Sequence, residues 1–179
     1  MKLLTKMFKT FKKSASRIET LPQYKIIGDE WDRYQSFTKG ECLEKYNSSS
    51  WAKMLRDYKK IGKTVERIRV VPNELNSYLI FEFDCYVQSI MAGEKINVVD
   101  KSEYDKLVNS KTIGDYWIFD NHDVLYMEYD ADGVFLKSRL IEDDEIKKEC
   151  IKFYNILMQK TYEPSNILKK IRNNIVKIK

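Results

Sequence analysis

The sequence predicts an α/β (α+β) domain built on a mixed sheet of about five strands. Amphipathic helical patterns precede and follow an apolar strand over residues 65–71, which is delimited by Gly62 and Pro72. Alternation of helix and strand is typical of strands that run parallel. Three strand-like segments joined by two turn sequences then follow between residues 116 and 140, the pattern of an antiparallel meander. We therefore expect a helix-connected parallel pair, a C-terminal β-meander and flanking helices.

The first half of the chain contributes four helical patterns. The N-terminal one has apolar residues on one side and lysines on the other, which predicts a short basic amphipathic helix. Residues 14–28 are expected to form a connector. Helices follow over residues 29–37, 51–61 and 74–91, because each has apolar residues at helical spacing and a glycine near its end.

The second half contributes the remaining strands and two closing helices. A second strand is predicted over residues 95–100, and a helical or irregular crossover over residues 102–108 leads to the meander. The strands of the meander are expected at residues 116–120, 124–129 and 134–140, because Asn-His and Asp-Gly between them are turn signals. Two helices, over residues 144–162 and 167–176, follow on either side of Pro164.

Length and composition indicate one domain with a hydrophobic core, since the chain has 179 residues and 13% aromatic side chains. We divide it into a basic helix (residues 1–13), a single α/β domain (14–163) and a basic C-terminal helix (164–179). Neither a transmembrane run nor a secretory signal is present, and three cysteines show no metal or redox spacing. We expect a cytoplasmic protein without cofactor or metal.

Charge is distributed unevenly along the chain. Residues 1–17 carry six basic residues and residues 165–179 carry five, with no acid in either segment, which leaves 21 basic against 27 acidic residues between them. Such ends can bind a polyanion or dock on the acidic body of the same chain, and both alternatives stay open here. The polyanion-binding candidates are Lys9, Lys12, Lys13, Arg17, Lys169, Lys170 and Arg172.

Two arginines of the central strand, Arg67 and Arg69, are the most unusual feature of the sequence. Being two residues apart, they lie on one face of the strand, where cations need acidic partners, an open edge or a bound anion. One interpretation is an ion-pair network with Glu94 or Asp120. The other is an anion or phosphate pocket. The candidates for these two interpretations are Arg67, Arg69, Tyr78, Glu94, Trp117 and Asp120.

Three sequences that imitate known sites fail on their spacing. Gly62-Lys63-Thr64 resembles the end of a P-loop, but position 57 is Asp and the segment joins a helix to a strand. The acidic turn before Gly133 resembles an EF-hand loop, but Arg139 occupies the position of the bidentate acid. His122 is the sole histidine and lies in a predicted turn, so no catalytic residues are assigned.

Five sequence blocks follow one another along the chain. They are F-K-K-S-A-S-R-I-E-T-L-P-Q-Y at residues 11–24, R-I-R-V-V-P at 67–72, A-G-E-K-I at 92–96, D-Y-W-I-F-D at 115–120 and Y-D-A-D-G-V-F at 129–135. In order and spacing they resemble the R-L-E-T…Y, R-V-R-V-V…Y, A-G-E-D-I and F-W-L-F-D motifs and the tyrosine–acid–glycine turn of an uncharacterised bacterial family known only as a domain of unknown function. The resemblance covers residues 11–163 and implies no established activity.

A weaker similarity is to one half of a phospholipase D-like domain. That family carries an H-x-K motif, and here Val124 follows His122 at the lysine position. The similarity therefore implies a binding relic of that fold and no hydrolase.

We favour a non-enzymatic cytoplasmic regulatory or interaction module that binds nucleic acid, another polyanion, a small anion or a partner protein. The alternative is a toxin- or defence-type nuclease or nucleotide hydrolase that uses Arg67, Arg69, Asp120 and His122 or Glu94 in one cleft. A third hypothesis is homodimerisation through the apolar stripe of the C-terminal helix.

Overall fold

Six strands form one mixed sheet in the described part of the chain. The structure is a computed structural model that describes residues 2–40, 50–109, 114–169 and 171. The strands are β1 (Ser14–Glu19), β2 (Thr64–Val71), β3 (Glu94–Asp100), β4 (Tyr116–Phe119), β5 (Asp123–Tyr129) and β6 (Phe135–Leu140), in the spatial order β3-β2-β1-β4-β5-β6. β2 pairs in parallel with both β1 and β3. The pairs β1–β4, β4–β5 and β5–β6 are antiparallel. This mixed sheet confirms the α/β class.

Helices cover both faces of this sheet. They are α1 (Lys2–Thr10), α2 (Asp29–Thr38), α3 (Ser50–Lys60), α4 (Ser77–Ala92), α5 (Lys101–Leu107) and α6 (Asp144–Met158), and residues 165–169 are also helical. On one face, α5 and α6 pack on a core that contains Ile18, Ile68 and Tyr116. On the other face, α1 and α3 pack on Ala15 and Val65, and α4 contributes further buried residues.

Strand β1 occupies the centre of the sheet, where the sequence pattern predicted only a connector. It pairs in parallel with β2 and antiparallel with β4. Its sequence S-A-S-R-I-E contains two apolar residues, Ala15 and Ile18, which point to opposite faces, so no alternating apolar pattern marks it. Pairing on both edges, and the burial of charged side chains, hold this strand in place. The expectation of about five strands is therefore corrected to six.

The parallel pair β2 and β3 is connected by α4, as predicted. Helix α4 begins three residues later than the pattern indicated, because Asn76 is its N-cap and accepts a hydrogen bond from the Leu79 amide at 2.8 Å. Gly93 ends the helix with φ of 113°, a backbone conformation that favours glycine. Strand β3 starts at the next residue, so Glu94 enters the sheet directly beside the end of the helix.

The C-terminal segment departs from the predicted helix after Met158. Tyr162 leaves the helical path to form backbone hydrogen bonds with Val98 in both directions, at 2.8 and 2.9 Å, against the free edge of β3. Ile167 and Ile171 are buried against Phe83 of α4. The remainder of the predicted C-terminal helix, at residues 170 and 172–179, lies outside the described residues.

Two of the three imitations of known sites, the acidic turn and His122, have structural explanations. The Asp130 carboxylate accepts the amides of Asp132 and Val134, which closes the turn before β6. The hairpin between β4 and β5 turns at two residues with positive φ, and His122 is exposed beside them. No group of three potential metal ligands occurs in residues 2–40, 50–109 and 114–169. None of the helices described is long and apolar enough to cross a membrane.

Asp120 fastens the N-terminal helix to the sheet. Its carboxylate accepts hydrogen bonds from the amides of Lys12, Lys13 and Ser14 at 2.6 to 3.1 Å. Partial burial opposes its ionisation, yet these amide donors outweigh that effect and lower the pKa of Asp120.

We predict that Asp120→Asn lowers the free energy of unfolding by about 1–3 kcal/mol near pH 7, the usual range for hydrogen bonds to a charged group. Because the folded pKa is lowered, the carboxylate stabilises the protein above its unfolded pKa and loses this effect as the pH falls. Urea unfolding at several pH values should therefore show that the difference in free energy of unfolding between wild type and Asp120→Asn narrows below about pH 4. An equal difference at all pH values would contradict the ionised role of Asp120.

Candidate functional site

A cavity of about 340 Å³ lies over the face of the sheet that carries Arg17, Glu19 and Arg67. Helix α1 contributes Leu4 and Phe8 to its wall, and α4 and the hairpin of β5 and β6 contribute further lining residues. Of the described residues, nineteen line it, and nine of these are aromatic. Its volume is within the usual range for small-ligand sites.

The register of β1 and β2 gathers charged residues on this face. Arg17 lies beside Arg67, and Glu19 lies beside Arg69, in the parallel ladder. Because side chains alternate between faces of a strand, all four side chains share one face. On its other edge β1 places Arg17 directly opposite Trp117 of β4.

Arg67 is held by two carboxylates that come from neighbouring strands. Its Nε donates to Glu94 Oε1 at 2.6 Å, and its Nη1 donates to Glu19 Oε2 at 2.8 Å. The Tyr86 hydroxyl donates to the same Glu19 oxygen at 2.8 Å. Trp51 Nε1 donates to the second Glu94 oxygen at 3.1 Å. Arg67 is therefore fully paired within the chain.

Arg69 is completely buried and depends on α4. Its Nε donates to Glu82 Oε2 at 2.6 Å, and its Nη1 donates to the Leu21 carbonyl at 2.6 Å. The second Glu82 oxygen accepts a hydrogen bond from the Tyr78 hydroxyl at 2.8 Å. Tyr78 and Glu82 are four residues apart and therefore share one face of the helix.

Arg17 forms the third cationic centre. Its Nη1 lies 2.8 Å from Glu19 Oε1, and its Nη2 donates to the Tyr129 hydroxyl at 3.0 Å. Asp115 Oδ2 lies 3.9 Å from Nη2 of Arg17. The Asp115 oxygens accept hydrogen bonds from the amide and hydroxyl of Thr20 and from the hydroxyl of Tyr24.

Gly133 brings Tyr24 to this site. Its carbonyl accepts the Lys25 amide at 2.9 Å. A Cβ atom at Gly133 would lie 2.7 Å from the Gln23 carbonyl oxygen, so only glycine allows the two segments to approach this closely. The approach lines the cavity with Tyr24 and Lys25 beside Tyr129.

The carboxylate oxygens of this cluster are all engaged, yet three buried donors are not. Each oxygen of Glu19, Glu82, Glu94 and Asp115 accepts at least one hydrogen bond or ion pair. Three buried donors have no acceptor among the described residues, and they are Arg17 Nε, Arg69 Nη2 and Trp117 Nε1. Because buried polar groups are normally paired, each of these unmade hydrogen bonds is a cost to stability.

The pKa values of the charged groups in this cluster depend on burial and on which oppositely charged groups lie beside them. Burial opposes the charge on Glu19, but Arg17 and Arg67 outweigh it and lower the pKa of Glu19 to about 2. For Arg67 burial disfavours the cation, yet Glu19 and Glu94 raise its pKa well above the usual value. Burial dominates at Glu82 and Asp115 and raises the pKa of each carboxyl.

The structure brings most predicted ligand-site residues together. Arg67, Tyr78 and Trp117 line the cavity, while Arg69 and Glu94 pair with groups behind it. Asp120 lies elsewhere, because its amide pairs with Ser14, which is about 10 Å before Arg17 at about 3.3 Å per strand residue. His122 is exposed in the adjoining turn.

The predicted polyanion candidates are divided by the structure. Lys9, Lys12, Lys13 and Lys169 are exposed. Arg17 belongs to the buried network, with a side chain only 15% exposed. Lys170 and Arg172 lie outside the described residues.

Three acids of the site were missed from the sequence. Glu19 lies in the segment that was predicted to be a connector. Glu82 lies within an apolar helix, and Asp115 was noted only as part of a family block. The spacing of Arg17 and Glu19, two residues apart, matches that of Arg67 and Arg69 and was a usable signal. Tyr78 and Glu82, at helical spacing, were a second one.

Comparison with protein families gives one finding. A family model described as a domain of unknown function (DUF6879) matches residues 3–165. This range includes every residue that lines the cavity and excludes Lys169. No curated protein matches the chain.

We predict that Glu19→Gln lowers the free energy of unfolding by about 3–5 kcal/mol, because it leaves Arg17 and Arg67 without their shared charged partner in a buried site. Glu128→Gln is the matched control, since the ion pair of Glu128 with Lys137 is partly exposed at 3.6 Å and should be worth under about 1 kcal/mol. Urea unfolding measures both.

The pH dependence gives this prediction a second readout. The folded pKa of Glu19 is about 2, below its ordinary value of 4.5, so its stabilisation is present above pH 4.5 and is lost as the pH falls toward 2. The difference in free energy of unfolding between wild type and Glu19→Gln should narrow as the pH falls from 4.5 toward 2. A Glu19→Gln protein as stable as the Glu128→Gln control at pH 7 would contradict the network.

Proposed function

We propose that this chain, which belongs to the family of domains of unknown function DUF6879, is a non-enzymatic module that binds a small molecule in the cavity over β1 and β2. The observation that carries the proposal is the lining of the cavity, which combines aromatic rings with the charged side chains of Arg17, Glu19 and Arg67. A cavity with aromatic walls and a few convergent polar groups is the usual form of a ligand site.

A binding role is supported over catalysis by the state of the reactive groups. Arg67 donates a hydrogen bond to Glu94, and Asp120 accepts hydrogen bonds from the amides of the α1–β1 connection. Cys85 lines the cavity, but burial raises the pKa of its thiol to about 12, so the nucleophilic thiolate is scarce at neutral pH. The nuclease alternative needs Asp120 or His122 in the cleft and has no such support.

We further propose a cytoplasmic location and a regulatory role. Cys85 and Cys150 are free buried thiols, which suits a reducing compartment. Helix α1 supports regulation, because its inner side lines the cavity with Leu4 and Phe8 while Lys9 is exposed on the same helix. Homodimerisation through the C-terminal helix has less support, since Ile167 and Ile171 of its apolar stripe are buried within the chain.

We predict that a screen of small aromatic compounds finds binders that move the indole N–H resonances of Trp51 and Trp117, which line the cavity. Trp31 is 45% exposed on α2 and should not respond, so it serves as an internal control. Single Trp→Phe substitutions assign the three signals. A binder at 100 times its Kd should raise the free energy of unfolding by about 2.7 kcal/mol. Binders that shift only Trp31, or none at all, would overturn the proposal.

A second candidate function, binding of a polyanion such as nucleic acid, is favoured by the surface around α1. Lys9, Lys12 and Lys13 are exposed, and no ion pair in the described part of the chain involves any of them. The sequence left open whether these cations dock on the acidic body of the chain, and the described contacts favour their availability to an external polyanion.

We predict that a triple variant, K9E/K12E/K13E, loses affinity for single-stranded DNA and RNA oligonucleotides. Its slope of log affinity against log salt should fall by about 2 units, at about 0.7 per phosphate contact on a single strand. The charge-matched control is K101E/K106E/K137E, three lysines that already pair with acids. Equal loss in both variants would reduce the effect to net charge and contradict a defined surface.

A further inference from the structure

We infer that one corner of the molecule, where β2 and β3 begin, docks on an anionic lipid surface. None of the residues that carry this inference lines the cavity, so it goes beyond the small-molecule function and does not depend on it. Three observations support it: exposed aliphatic side chains on two adjoining turns, lysines beside them that have no ion pair, and the distance of the main acidic segment.

The turns that lead into β2 and β3 lie side by side. Val65 of β2 pairs with Glu94 of β3, so the residues that precede these two strands meet at the same end of the sheet. The side chain of Lys59, near the end of α3, lies against Gly93, which ends α4, because a Cβ atom at Gly93 would be 2.9 Å from Lys59 Cδ. The ends of α3 and α4 are therefore in contact.

Three large aliphatic side chains are exposed on these turns, and we call them the apolar corner. Ile61 directly follows α3 and is 67% exposed, while Ile90 and Met91 in the last turn of α4 are 39% and 66% exposed. The Ile61 amide donates to the Tyr58 carbonyl at 3.1 Å, and the Gly93 amide donates to the Ile90 carbonyl at 3.0 Å. Both turns are thus closed by backbone hydrogen bonds, and burial of these side chains needs a partner.

Exposed lysines border the apolar corner. The Lys13 carbonyl accepts the Thr64 amide at 2.9 Å, which brings the residues before β1 beside the start of β2. Lys95 follows the first residue of β3. Four exposed lysines here take part in no ion pair within the described part of the chain, and they are Lys12, Lys13, Lys59 and Lys95.

The acids at this end of the sheet do not offset these lysines. Asp57 pairs with Lys60 at 3.0 Å, and Asp120 accepts hydrogen bonds from three backbone amides. The main acidic segment, residues 142–145, follows β6, which is four strands away from β2 in the sheet. At about 4.8 Å per strand this is about 19 Å, more than twice the screening length of about 8 Å at physiological salt. The surface at the apolar corner is therefore positive.

Aliphatic side chains beside lysines fit the interface of an anionic bilayer. Lysine ammonium groups are attracted to anionic headgroups, while lysine stems and neighbouring apolar side chains enter the layer below. A nucleic-acid strand would use the same cations, but it binds apolar protein surface mainly by stacking its bases on aromatic rings. The side chains of Ile61, Ile90 and Met91 offer no ring, so the observations favour a lipid surface.

Vesicle sedimentation tests the inference. In about 0.1 M salt, the wild-type protein should bind phosphatidylcholine vesicles that contain about 30% phosphatidylglycerol about tenfold more tightly than pure phosphatidylcholine vesicles. The variant I61S/M91S should lose about tenfold in affinity for the anionic vesicles, because it has less apolar surface to bury. The matched control is I27S/L136S, which removes two side chains that are 72% and 53% exposed outside the apolar corner, and it should bind like wild type.

A lysine pair tests the electrostatic part. K59Q/K95Q should weaken binding to the anionic vesicles about fivefold for each lysine. The control K101Q/K106Q removes two lysines that already pair with acids on α5, and it should have little effect.

Each other result would overturn the inference. These results are equal binding of anionic and neutral vesicles, binding of neither, and an I61S/M91S protein that binds anionic vesicles like the I27S/L136S control. Single-stranded oligonucleotides provide the last comparison, because I61S/M91S should bind them like wild type, and a tenfold loss would assign the apolar corner to nucleic acid instead. The comparison of the two vesicles in wild type needs no variant, so it stands even if a substitution impairs folding.

Discussion

Two arginines buried under a helix impose the main constraint on this fold. Arg67 and Arg69 stand on one face of the central strand β2, and each needs carboxylates that its own strand does not supply. Glu19 reaches Arg67 from β1, Glu94 reaches it from β3, and Glu82 of α4 reaches Arg69. The positions of β1, β3 and α4 are thus tied to one another electrostatically as well as by packing. Removing one partner would leave a buried charge, which costs more than an exposed ion pair contributes.

The same constraint creates the cavity. Charged side chains and their tyrosine partners lie between α4 and the sheet, and α1 contributes Leu4 and Phe8 to the lining. The carboxylate oxygens accept hydrogen bonds from the arginines and tyrosines, while Arg17 Nε and Trp117 Nε1 are buried without an acceptor among the described residues. Charged groups and aromatic rings together form a lining of the kind that small-molecule sites have. Binding in the cavity would also contact α1, whose outer residues include the exposed lysines.

Local pattern was enough to predict the α/β class, the parallel pair and the meander, because each of those elements carries its own apolar periodicity. It failed at β1, since S-A-S-R-I-E has no alternating apolar pattern and pairs as a strand with β2 and β4. The shared face of Arg67 and Arg69 was predictable from their spacing, and so was Glu94 as a partner. Asp115 was not, because its role depends on how the start of β4 packs, and the spacing of Tyr78 and Glu82 indicated their shared helix face but not the contact with Arg69. Arg17 was counted with the basic N-terminal residues because it lies in β1, the strand that the sequence pattern did not predict.

The central claim is that the buried network binds the Nε–H groups of Arg67 and Arg69, while that of Arg17 has no acceptor among the described residues. The exchange of arginine Nε–H protons with water, resolved by NMR for each arginine, measures this directly. Because Arg67 and Arg69 donate Nε–H to Glu94 and Glu82, their protons should exchange slowly. The Nε–H of Arg17 has no acceptor among the described residues, and it should exchange faster than the other two. Equal protection of all three protons would show that Arg17 has an acceptor within the chain and would contradict the site.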